Sequence, residues 1–70
     1  MFSVQAVKAH GVYSVEHFEN ERAASLCAES KATENKDREV FYVVLEVVRS
    51  PDYIALNPVA QFAHGGRRVF

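Results

Sequence analysis

Tryptophan is absent from this chain of 70 residues, cysteine occurs once, and there are two prolines and three glycines. The single cysteine, Cys27, can form no internal disulfide and fits a reducing compartment rather than a disulfide-stapled secreted scaffold. No long hydrophobic run exists: the longest strictly apolar stretch covers residues 40–45, far short of the ~20 residues a spanning helix needs. Neither sign of charge dominates, since eight basic and nine acidic residues leave a net charge of −1 and a pI of 6.3. That balance excludes a dedicated duplex-DNA binder, which shows a domain pI above about 9, and equally a polyanionic DNA mimic. Glycine-rich phosphate-binding fingerprints are missing. In residues 1–9 apolar and polar positions alternate and the one cation, Lys8, comes late, so no secretory signal is expected and cytoplasmic residence is.

What is present is a hydrophobic fraction of 49% in a mass of 7.9 kDa, enough for one small domain with a packed core. A chain of this size buries only about 60% of the surface its unfolded form exposes. Hydrophobic gain and ordering entropy then nearly cancel, and small domains in that position add disulfides, a metal or a partner surface. With the first two unsupported by the sequence, a partner surface is expected.

Along the chain, Phe2, Val4 and Ala6 alternate with Ser3 and Gln5, the period of a half-buried strand. Gly11, after Ala9 and His10, allows a tight return into a second strand over residues 12–18; the rival reading is one long bent strand with Gly11 as a bulge. Asn20 is placed to cap a helix running to Glu34 or Asn35, with Asn35 as its left-handed terminator. The expected buried arc of that helix is Ala23, Ala24, Leu26, Cys27 and Ala28, and Lys31 and Glu34 form an i,i+3 pair on its solvated side. Residues 40–48 read as a central strand. One parity, Phe41, Val43, Leu45 and Val47, is assigned to the helix-facing core; the other, Val40, Tyr42, Val44, Glu46 and Val48, is the expected interface. Residues 53–57 and 59–64 form an irregular last strand interrupted by Pro58, which suits an edge. These readings give an α+β fold, a three- to four-stranded, mainly antiparallel sheet with one helix on one face in the order β-β-α-β-β. A single domain spans residues 1–64, and residues 65–70 form a flexible basic tail.

Catalytic chemistry is hard to assemble from these residues, and no enzyme, cofactor or metal is expected. Cys27 lies on the arc expected to be buried, where a thiol is inert packing rather than a nucleophile. His10, His17, His64 and Cys27 lack zinc-ligand spacing and read as turn or surface residues. Arg67 and Arg68 beside Phe70 could contact single-stranded nucleic acid, but adjacent Phe41 and Tyr42 point to opposite sheet faces, so at most one could stack a base. Glu46, alone among apolar neighbours, fits a partly wet sheet or an interface rather than a dry core.

The passage Glu21-Arg22-Ala23-Ala24 through Arg38-Glu39-Val40-Phe41-Tyr42-Val43 to Val48 resembles small phage and prophage proteins in which a polar, alanine-containing helix leads into a strand of this form. The resemblance covers about half of the chain and implies a compact α+β protein of a class that includes inhibitors occupying a host protein's surface. The expected function is non-enzymatic protein binding with self-association as a dimer or higher oligomer. The alternative is a small nucleic-acid-binding accessory protein using Arg67 and Arg68.

Overall fold

The computed structural model describes residues 1–9 and 11–70, the side chain of Tyr13 excepted. The turn and ligand readings of His10 therefore lie outside the described residues. Five strands, β1 (Phe2–Lys8), β2 (Gly11–Phe18), β3 (Phe41–Arg49), β4 (Ile54–Ala63) and β5 (Arg67–Arg68), and one helix, α1 (Glu21–Glu34), make an α+β fold. The strands form one antiparallel sheet in the order β2-β1-β3-β4-β5. Its width exceeds the expected three to four strands because residues 65–70, expected as a tail, contribute an edge.

β1 and β2 pair as a hairpin and are not one bent strand: Phe2 pairs with Phe18 and Lys8 with Gly11, whose φ of 128° suits glycine. Both β2 and β3 run antiparallel to β1 and hence parallel to each other, so the chain between them must climb over β1. The helix makes that crossing. At ~1.5 Å per residue its 14 residues span about 21 Å, close to the length of the strands beneath it.

Both ends of α1 are fixed by side chains. Asn20 Oδ1 accepts from the Ala23 amide at 2.8 Å, as its capping position predicts. At the other end Asn35 is extended (φ −74°, ψ 131°), not left-handed. Its amide donates to the Lys31 carbonyl, its Oδ1 accepts from the Asp37 amide, and its Nδ2 donates to Tyr42 Oη. The terminator thus anchors the helix to β3, and that tie replaces the backbone reversal that a left-handed residue would have supplied.

The helix buries Ala24, Ala28 and Ala32, one turn apart, while Leu26 is 58% exposed and Cys27 half-buried. The expected arc was rotated too far towards Leu26. Small side chains let the helix lie close to Val4, Val44, Ala60 and Phe62, which complete the core with Phe2, Phe18, Tyr42 and Val59 around them. Lys31 pairs with Glu16 on β2 at 2.6 Å rather than with Glu34, stitching the helix flank to the sheet edge.

β3 starts at Phe41, one residue later than expected, and β4 is continuous through Pro58. Val44 faces Ala60 and Leu45 faces Pro58, so a bulge at Val59 absorbs the proline on the outer side of the sheet. After β4, a 3-10 turn at His64–Gly66 leads into β5, and the Val69 amide donates to the Gln61 carbonyl at 2.7 Å. Gly66 (φ 83°) lies so close to α1 that a Cβ there would meet Thr33 Oγ1 at 2.3 Å. Residues 65–70 are therefore built into the helix–sheet layer.

Candidate functional site: the two faces of the sheet

Cross-strand register sorts every strand residue to one side. In the row Glu16, Val4, Val44, Ala60 and the next, Ser14, Ala6, Tyr42, Phe62, the side chains of β1, β3 and β4 meet the helix. This reverses the expectation for β3. Val40 and Val44, placed in the expected interface, are 1% and 0% exposed, and Tyr42 is half-buried with its hydroxyl bound to Asn35. Glu46 sits half-buried opposite Phe2 and Asn57, where the helical cover gives out, in line with a partly wet position. Val48 is exposed beyond it. Alternation within β3 could not choose a face because both parities are apolar. The register with β1 chose it, since Val4 lies opposite Val44 and β1 has only one apolar parity.

The opposite side of the sheet carries the rows Val15, Gln5, Val43, Gln61 and His17, Ser3, Leu45, Pro58, continued by Val47 with Leu56 and by Arg49 with Ile54. Phe41, Val43, Leu45 and Val47, expected beneath the helix, all lie here. Ser3 and Leu45 are buried, whereas Val12, Val15, Ile54 and Leu56 on the same side are about half exposed or more. Between Val15 and Gln61 this side presents two side-chain amides and no charged group.

Charge is placed around the helical side. The Lys31 ammonium holds the Glu16 carboxyl below the ordinary carboxylate range, and Glu16 in turn raises Lys31. Cys27 Sγ donates to Glu16 Oε2 at 3.6 Å; burial, and then the Glu16 charge, push the thiol up, which keeps it protonated near neutrality. Lys8 and Asp37 pair at 2.6 Å, so that Lys8, and then the Glu39 amide, hold the Asp37 carboxyl low.

Among the described residues no group of three or more His, Cys, Asp or Glu is placed to hold a metal ion, and no helix is long and apolar enough to cross a membrane. Of the two arginines singled out for nucleic acid, Arg68 stacks over the Phe62 ring at 5.6 Å and its Nε donates to the Phe70 carbonyl. Arg67 is exposed on the sheet edge. The signal that sequence reasoning missed was the contrast within β1 and β4: Gln5 and Gln61 mark the uncovered parity, and both align with Val43. No family model matches this chain, and no curated protein or solved structure is significantly similar to it, which leaves the contrast between the two faces as the ground for a functional reading.

Proposed function

We propose that this chain is a non-enzymatic protein-binding module that associates with a second copy of itself through the side of the sheet opposite α1. The observation that supports this is an apolar sheet face with open valines, leucine and isoleucine and no charge between Val15 and Gln61. A face carrying little charge can lie against its own copy without repelling it, and Gln5 and Gln61 suit such a contact because an amide both donates and accepts. Two such faces stacked ~10 Å apart would form an α/β/β/α sandwich.

The test is the molar mass in solution at tens of micromolar, for the full chain and for Val15→Glu and Leu56→Glu. Twice 7.9 kDa is expected for the wild type. Both variants should remain folded by circular dichroism but fall to the monomer mass, since each buries a carboxylate against an apolar copy. A wild-type mass of 7.9 kDa up to hundreds of micromolar would overturn self-association.

A further inference from the structure

β1 and β2 stop level with Glu46: Phe2 is its partner, and the Met1 carbonyl takes the Val47 amide just beyond. Past that point β3 and β4 pair only with each other, Val48 with Ala55 and Arg49 with Ile54, and the Ser50 amide closes the end on the Tyr53 carbonyl. The result is a two-stranded arm projecting from the sheet. Tyr53 and Ile54 on it are 62% and 63% exposed. A free two-stranded ribbon is marginal in water, and one with large apolar side chains left open calls for a cover.

At the other end of the same sheet face lies a hollow of about 620 Å³, lined by Val7 and Phe41 with Lys8, Ala9 and Glu39 around it. Arm and hollow are separated by the length of β3, roughly 25 Å at ~3.3 Å per residue, so a chain's arm cannot reach its own hollow. We infer that the arm of each copy seats in the hollow of the other, Ile54 entering against Val7 and Phe41 and Arg49 meeting Glu39. This rests on the self-association proposed above and fixes its orientation. A dyad along the strands would set arm on arm and Arg49 against Arg49 while both hollows stayed empty. A dyad across the strands reverses one copy end for end and makes two identical contacts, each pairing an apolar arm with an apolar hollow and a guanidinium with a carboxylate.

Charge reversal separates these arrangements. Arg49→Glu and Glu39→Arg, both at exposed positions, are measured alone and together by sedimentation of the full chain. Each reversal alone should weaken the dimer by about tenfold or more, and the combined variant should return to within about threefold of wild type. Combined losses that multiply, or a dimer indifferent to both changes, would overturn the arm placement while leaving self-association standing. A wild type that is monomeric throughout would overturn both. Cysteine trapping in a Cys27→Ser background gives a second readout. Ile54→Cys chains mixed with Ala9→Cys chains should cross-link to each other on oxidation, and cross-linking of Ile54→Cys chains among themselves would place arm against arm instead.

Discussion

The two faces of the sheet share the same strands and nearly the same apolar content, yet one is a core and the other a surface. On the helical side alanines bring the two layers close, Ala24, Ala28 and Ala32 above and Ala6 and Ala60 below, while Val4, Val44 and Phe62 fill the space beside them, all nearly or fully buried. On the far side Phe41, Val43, Leu45, Val47 and Leu56 have no helix over them, and two glutamines stand among them. The difference teaches that closeness of packing, and not hydrophobicity alone, distinguishes a core here. A helix striped with alanine can sit close enough to exclude water although it contributes little apolar area, whereas larger residues without a second layer remain wet at their rim.

The contrast breaks most sharply at Phe62, the largest fully buried side chain, which also carries the stacked guanidinium of Arg68. Phe62→Ala should cost about 3–5 kcal/mol in urea unfolding at fixed protein concentration, enough to leave a chain this small largely unfolded. Ala28→Leu tests closeness directly. Added volume beneath the helix should destabilise by about 1–3 kcal/mol, while Val15→Leu on the open face should stay within about 0.5 kcal/mol. Should Ala28→Leu be neutral, the helix does not lie as closely as its alanine stripe requires.

The smallest effect is electrostatic. Glu16 and Asp37 have carboxyls lowered in the fold, so their contribution is complete above the unfolded carboxylate range near pH 4 and is lost as pH falls through their lower folded values. Lys31 is raised, so its contribution holds below about pH 10 and is lost as pH rises beyond it. The thermal midpoint should therefore decline only at the acid and alkaline extremes. Glu16→Gln should soften both declines while costing a fraction of a kcal/mol near neutrality, since both members of the pair are well exposed (~0.2–1 kcal/mol). An unchanged alkaline limb in that variant would show that the Lys31 pair adds nothing.

Much of the fold was legible locally. The alternation of Phe2, Val4 and Ala6, the capping oxygen of Asn20 and the β-branched run of β3 each specify their element by short-range stereochemistry. Three features were not. Leu26 looked like a core residue by type, but the arc that touches the sheet is set by where β2 delivers the chain. Residues 65–70 looked like a tail because a two-residue strand has no periodicity, and their place depends on Gly66 fitting against Thr33. The set Val40, Tyr42, Val44, Glu46 and Val48, expected as an interface, proved to be the parity of β3 turned to the helical side, with Val40 and Val44 buried.

By itself the sequence determined the helix and its small-residue character, the first four strands and the existence of an apolar sheet face that one helix could not cover. Only the tertiary structure decided which face that was. A strand apolar on both parities carries no information about its own orientation. The hydrogen-bond register with β1 couples it to a neighbour that has only one apolar side, and a shift of one residue in that register would have exchanged core and surface.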